Sequence, residues 1–104
     1  MKVYISGKIT DLQIEEAFKI FERAELIISA NGYIPVNPMK VNKHTEGKTW
    51  EEYMLDDIRV LFDCEAIYML DNWEESTGAR IEYQIAKELG MQIIFEEEQN
   101  SDVV

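Results

Sequence analysis

Ala66-Ile-Tyr-Met-Leu70, then Asp71-Asn-Trp-Glu-Glu75, then Ser76-Thr-Gly-Ala-Arg-Ile-Glu82 is the stretch that decides the fold class. Its first five residues are a continuous apolar run, the pattern of a strand covered on both faces, as in a parallel sheet. The next five are polar but for Trp73 and read as a loop. Ser76 suits the N-cap of a helix running to about Leu89, and Gly90 suits its stop. Met91 to Phe95 then returns to a strand. Strand, helix and strand in so short a stretch form one crossover unit, which is right-handed in parallel sheets.

Upstream the same alternation repeats. Lys2 to Ser6 is a short β-rich run ending at Gly7. Asp11 offers an N-cap, and from Leu12 the apolar spacing is helical: Ile14, Ala17, Phe18, Phe21, Ala24 and Ile28 make one stripe. Asn31-Gly32 closes that helix. Tyr33 to Val36 is a second strand, Asn37 to Lys48 has no periodicity and reads as a loop, and Lys48 or Thr49 opens another helix. That helix turns Tyr53, Met54, Ile58, Leu61 and Phe62 inward. The order βαβαβαβ predicts an α/β domain of three layers: a parallel sheet of about four strands with helices on both faces. Residues 1–95 form this single domain, and 96–104 read as an acidic, frayed tail. Ligands of such sheets bind beyond the carboxyl ends of the strands. The stretches to search are therefore Tyr4 to Thr10, Val36 to Lys48 and Asp71 to Glu82.

Composition bounds the function. The 104 residues are 46% hydrophobic, enough for a core and too few for a second domain. No stretch approaches the ~20 apolar residues of a membrane span. The apolar start is too short for a signal peptide. Cys64 is the single cysteine, which excludes an internal disulfide and a multi-cysteine metal site. These features read as a soluble, cytoplasmic protein. Twenty-one acids against ten bases give a formal charge of −11. Such a surface repels a phosphate backbone, so polymeric nucleic acid is not an expected partner; a small anion in a local pocket is still compatible. Lys40, Lys43, His44 and Lys48 form a basic island with Glu46 its one acid. It reads either as a solvated loop or as a basic flap over an anionic ligand.

Several familiar sites are missing. There is no Gly-x-Gly-x-x-Gly, and Gly7-Lys8-Ile9-Thr10 resembles only the end of a Walker loop. The first strand supplies no acids for a phospho-acceptor site. One histidine and no cysteine pair do not make a zinc site. No metal and no cofactor is implied.

Three candidates for chemistry are left. Ser76 and Gly78 open a helix whose unpaired N–H groups favour an anion. On that helix Glu82 falls within an apolar stripe written Ala79, Glu82, Tyr83, Ala86 and Leu89. A stripe rotated onto Ile81 and Ile85 would instead leave Glu82 exposed. Asp56-Asp57 lies mid-helix, with Asp57 at the stripe's edge and both carboxylates open to a solvated reading. Tyr4 is either a core tyrosine or the holder of a carboxylate. His44 lies in a loop, Cys64 reads as a buried apolar residue, and Trp50 and Trp73 flank the ligand loops, for packing or for stacking on a base.

Together these pieces resemble the nucleoside 2-deoxyribosyltransferase superfamily, in particular its small uncharacterised branch related to deoxynucleoside 5′-monophosphate N-glycosidases. Val3-Tyr-Ile-Ser-Gly-Lys-Ile-Thr10 resembles the first strand and glycine turn. Asp57-Ile-Arg-Val-Leu-Phe-Asp-Cys-Glu-Ala-Ile-Tyr-Met-Leu70 resembles the catalytic aspartate helix and third strand. Ser76-Thr-Gly-Ala-Arg-Ile-Glu82 is similar to the serine-x-glycine-x-x-x-glutamate signature. The resemblance implies a flavodoxin-like or Rossmann-like fold with strand order 2-1-3-4. It implies Glu82 as a nucleophile forming a covalent glycosyl-enzyme, Asp57 assisting the base, and Tyr4 orienting Glu82. Gly7, Lys8, Thr10, Ser76 and Gly78 would bind substrate, with Ser76 and the Gly78 amide at a phosphate. The implied activity is hydrolysis or transfer at the N-glycosidic bond of a nucleoside or nucleotide, in a homo-oligomer; the alternative is a non-catalytic binder or sensor of nucleotide-derived ligands. Lys8 and Thr10 depart from the serine and arginine of the hydrolase branch, leaving Lys8, Lys43 or Arg80 to serve a phosphate. A final βα unit of the relatives is expected to be missing.

Overall fold

A residue's place along the two central strands decides which half of the core it joins, because alternate side chains of a strand point to opposite faces. A computed structural model describes residues 1–42 and 45–96 of the chain. Its elements are β1 (Lys2–Ser6), α1 (Ile14–Ala30), β2 (Ile34–Val36), α2 (Pro38–Val41), α3 (Trp50–Phe62), β3 (Ala66–Met69), a 3₁₀ turn (Trp73–Glu75), α4 (Thr77–Leu89) and β4 (Gln92–Phe95). The four strands pair in parallel in the order β2-β1-β3-β4, the order that the resemblance implies. Register runs from Val3 opposite Ala66 to Ser6 opposite Met69.

Val3 and Ile5 with Ala66, Tyr68 and Leu70 face α1 and pack on Phe21, Ala24 and Ile28. Tyr4 with Ile67 and Met69 faces the other way, onto Leu61, Ala79 and Ala86 of α3 and α4. Each large apolar side chain buried in this way contributes about 1.5–3 kcal/mol. The three layers expected from the sequence are therefore present, with every residue of β3 buried.

The helix ends follow their caps. Ser76 Oγ accepts from Ala79 N, and Gly90 closes α4 in the left-handed conformation. Thr49 and Glu52 form a reciprocal capping box at the start of α3.

Some expectations need correction. Asn37 to Lys48 is not all loop. Asn37 accepts from Met39 N and Pro38 occupies the first turn, so one short helix forms there. Asp11 is not an N-cap; its φ is +74°, and α1 begins after Gln13 without a side-chain cap. Phe62 faces out at 58% exposure, and Ile14, Phe18 and Leu89 are likewise exposed. Glu96 is not frayed. Its backbone N–H donates to the Met69 carbonyl at 2.9 Å, and its side chain accepts from Asp71 N at 2.7 Å. Residues 97–104 of the expected tail, with Lys43 and His44, lie outside the described residues. Among the described residues no helix is long and apolar enough to cross a membrane.

Candidate functional site

Tyr4 and Ser6 are two residues apart on β1, so both side chains rise from the same face of the sheet, toward α4. Glu82 comes down to meet them. The Tyr4 hydroxyl donates to Glu82 Oε2 at 2.7 Å and the Ser6 hydroxyl donates to Glu82 Oε1 at 2.7 Å. Glu82 is 5% exposed and Tyr4 fully buried, whereas Ile81 is 38% exposed. Of the two registers open to α4, the chain takes the one that turns the glutamate inward. Both hydrogen bonds favour the carboxylate, but removal from water disfavours it more. Burial pushes the Glu82 carboxyl up to about 7, and the nearby Asp57 charge adds to the rise. Burial also pushes the Tyr4 hydroxyl well above its ordinary range, with the Glu82 charge assisting, so it remains a donor.

The second carboxyl comes from α3. Asp57 Oδ1 accepts from Asn42 Nδ2 at 2.5 Å. Burial raises Asp57 to about 6 while that hydrogen bond opposes the rise. Its neighbour Asp56 points elsewhere, with Oδ2 2.5 Å from Lys48 Nζ. That contact holds Asp56 below the usual carboxylate range. The solvated reading fits Asp56 and fails for Asp57.

Glu82, Tyr4, Asp57 and Asn42 open on one cavity of about 250 Å³. An apolar wall of Met39, Trp50, Tyr53 and Met54 faces a rim of Gly7, Thr10, Ser76 and Gly78. A second recess of about 310 Å³ adjoins it, sharing Thr10, Trp50, Ser76 and Gly78 and adding Lys8 and Glu75. All eight residues to which the resemblance assigns a catalytic or substrate-binding role thus line one or other space. Two of them have packing reasons as well. A Cβ on Gly7 would stand 2.4 Å from Leu70 Cδ1, and one on Gly78 3.0 Å from Met54 Sδ. Gly7 lets the turn after β1 cross close above the end of β3; Gly78 lets α4 approach α3.

Other candidates sit apart. Trp73 stacks on Tyr83, with ring centres 4.6 Å apart, and so packs α4 against the sheet edge. Cys64 is buried and its thiol donates to the Val60 carbonyl. Lys40 pairs with Glu25 at 2.8 Å, and Lys48 pairs with Asp56 as above. Lys40 thus ties α2 to α1, and Lys48 ties the segment before α3 to that helix. Arg80 donates to the Glu74 carbonyl at 2.7 Å and to the Thr77 hydroxyl at 3.2 Å. Among the described residues no cluster of histidine, cysteine or acidic side chains has the form of a metal site.

Two residues of the site escape the sequence reading. Ser6 carries a signal, its spacing of two from Tyr4 on a strand. Asn42 carries none, since it bonds Asp57 from a stretch that reads as loop.

No curated protein matches the chain. Its structure is similar to the solved 2-deoxyribosyltransferase of the psychrotolerant bacterium Bacillus psychrosaccharolyticus, with TM-score 0.70, 18% identity, 91% of this chain covered and 71% of that one. It is similar also to the 2-desoxiribosyltransferase of Leishmania mexicana, with TM-score 0.66, 19% identity, and 90% and 62% covered. The chain therefore spans somewhat under two thirds of the Leishmania protein. At these identities the likeness shows the fold, which is 2-deoxyribosyltransferase-like. Residues 1–95 match the family described as a domain of unknown function, DUF4406, and the chain belongs to that family.

Proposed function

We propose that the protein breaks or transfers the N-glycosidic bond of a nucleoside or nucleotide, with Glu82 as nucleophile. The observation that supports this best is a buried carboxylate with each oxygen held by a hydroxyl, beside a second carboxyl on a cavity of sugar-and-base size. The likeness to two 2-deoxyribosyltransferases points to the same reaction class.

Glu82 attacks the anomeric carbon as the C–N bond breaks, and the base leaves with the bonding electron pair. The ring passes through an oxocarbenium-like state, whose positive charge a carboxylate stabilises. That charge also favours ionised Glu82, opposing the effect of burial. Asp57, raised to about 6, supplies a proton to the departing base. Water, or a second base, then attacks the same carbon from the Asp57 side. Asp57 takes the proton lost by the attacker, and the ester bond to Glu82 breaks. Tyr4 and Ser6 keep the nucleophile from rotating between the two steps. The apolar wall of Met39, Trp50 and Tyr53 offers a face for the base.

The test is to incubate the protein with the common 2′-deoxynucleosides and their 5′-monophosphates and follow free base by chromatography. Free base is expected, together with a covalent sugar adduct on Glu82 in the mass spectrum. Turnover that survives Glu82→Ala removes Glu82 from the mechanism. A second reading, a binder without turnover, is favoured by the burial that leaves Glu82 partly protonated near neutral pH. Calorimetric binding of the same compounds without release of base supports that reading instead. The homo-oligomer belongs to the same proposal and is read by sedimentation velocity.

A further inference from the structure

Helices α3 and α4 lie side by side on one face of the sheet, and the outer groove between them is apolar. Gly78 marks the flank of α4 that faces α3, because a Cβ there would stand 3.0 Å from Met54 Sδ. Ile81, Ile85 and Leu89 follow Gly78 at helical spacing and continue that flank. Trp73, Tyr83 and Phe95 cluster on the opposite flank of α4. On α3, the flank away from α4 carries Tyr53, whose hydroxyl accepts from Thr45 N, and Asp57, which accepts from Asn42. Leu55, Ile58 and Phe62 are left on the flank toward α4. Leu55 is 62% exposed, Phe62 58%, Leu89 52% and Ile81 38%. Ile58 and Ile85 are half-buried. Phe62 and Leu89 are two residues that the apolar pattern sends inward and the single chain leaves in water.

Six apolar side chains in one groove form a patch on the order of a few hundred Å², the size at which an exposed patch marks an interface. A stable pair buries about 800 Å² on each partner, with hydrocarbon at the centre and polar groups at the rim. The groove supplies such a centre, and its rim carries both signs. Glu51 and Glu52 stand in the first turn of α3 and Arg59 in its last. Arg59 is 78% exposed and has only Asp56 of its own helix at 3.4 Å. Glu51 and Arg59 are equally far along α3 from Leu55, on either side of it. Two copies of α3 packed antiparallel across Leu55 therefore set Glu51 of each beside Arg59 of the other, as a self-complementary contact requires. A basic partner, the match for a formal charge of −11, meets Arg59 here instead. We infer that the groove between α3 and α4 is a two-fold interface with a second copy of this chain. This rests on the homo-oligomer proposed above and gives it a surface; it does not depend on the glycosidic reading.

Sedimentation velocity over a range of concentrations tests it. Wild type is expected to sediment as a dimer or as an assembly of dimers. Leu55→Glu and Phe62→Glu are each expected to raise the dissociation constant of the pair by roughly tenfold or more, since each would bury an unpaired charge. Both replace side chains exposed in the single chain, so the fold is kept, and circular dichroism checks it. Leu26→Glu, on α1 at 72% exposure, makes the same change away from the groove and is expected to leave pairing unchanged. Arg59→Glu is expected to weaken pairing about fivefold, and Glu51→Arg added to it to restore pairing. A wild type that stays a single chain at every concentration overturns the inference and the homo-oligomer together. An oligomer that withstands both glutamates, that Leu26→Glu breaks as readily, or that the charge swap weakens further overturns this surface and leaves the homo-oligomer standing.

Discussion

The two faces of the sheet are built by the same strands and do different work. Toward α1, Val3, Ile5, Tyr68 and Leu70 meet Phe21, Ala24 and Ile28 in a layer of hydrocarbon. Toward α3 and α4, one residue along in register, β1 presents Tyr4 and Ser6 to Glu82. The carboxyls that reach the first face, Glu96 beside Arg23 and Glu25 beside Lys40, lie at its edge and are met by cations. The second accepts the cost of a buried carboxylate. Ile5 and Phe21 reach the cavity's edge from the first face, but the one-residue alternation in β1 puts the carboxyls of the proposed site on the second.

Stability should break most at the first face. Ile28→Ala is expected to destabilise by about 2–5 kcal/mol, from lost transfer energy plus the cavity left behind. Urea denaturation reads it. A loss below about 1 kcal/mol would mean that the α1 face is not the dry half described above.

The second face should show the opposite sign for one substitution. Glu82 in the folded protein sits near 7, above the ordinary value of 4.5. Between those two values the native state binds more protons than the unfolded chain, so stability falls as pH rises from 4.5 toward 7 and stays low above it. A shift of that size is worth roughly 3 kcal/mol. Glu82→Gln is expected to flatten that fall and to raise stability at pH 8, while turnover is lost. Thermal melts of both proteins at pH 5 and pH 8 measure it. A variant less stable than wild type at pH 8 would show that the hydroxyls of Tyr4 and Ser6 outweigh burial.

Ser6→Ala sharpens the comparison on a smaller scale. It removes one of the two donors that hold Glu82 ionised, so the carboxyl rises further. A hydrogen bond to a charged group is worth about 1.5–3 kcal/mol, and kcat/KM at pH 7 should fall roughly tenfold or more. The rising limb of the pH profile should move to higher pH. An unchanged limb would assign Ser6 to packing alone.

What was legible in the sequence follows the range of each signal. β3 and α4 are readable because an unbroken apolar run, a serine cap and a terminal glycine all act within a few residues of where they stand. The register of α4 is not readable from spacing, since Ala79 and Ala86 compete with Ile81 and Ile85. Donors on β1, nearly eighty residues away (|i−j| = 78 for Tyr4 and Glu82), decide it. Helix α2 is four residues long, too short for any periodicity to show. Phe62 is apolar yet exposed, so a pattern that sends every apolar residue inward misplaces it. Asp57 stood at the edge of its stripe, and what separates it from Asp56 is a lysine and an asparagine from the preceding segment.

Asn42 gives the finest test, because its effect should be visible only as a displacement along the pH axis. Its amide donates to Asp57 Oδ1 at 2.5 Å and so favours the ionised carboxylate. Burial alone would hold that group higher than about 6. Asn42→Ala removes the donor. Asp57 then keeps its proton to higher pH, and the falling limb of kcat, where the proton for the departing base is lost, should move upward by roughly one unit. That displacement corresponds to a net hydrogen bond of about 1 kcal/mol. An asparagine that only fastened α2 to α3 would lower activity equally at every pH. A limb that moves while the thermal melt does not would therefore place Asn42 as a positioning residue for Asp57, acting on the reactive face and leaving the hydrocarbon face untouched.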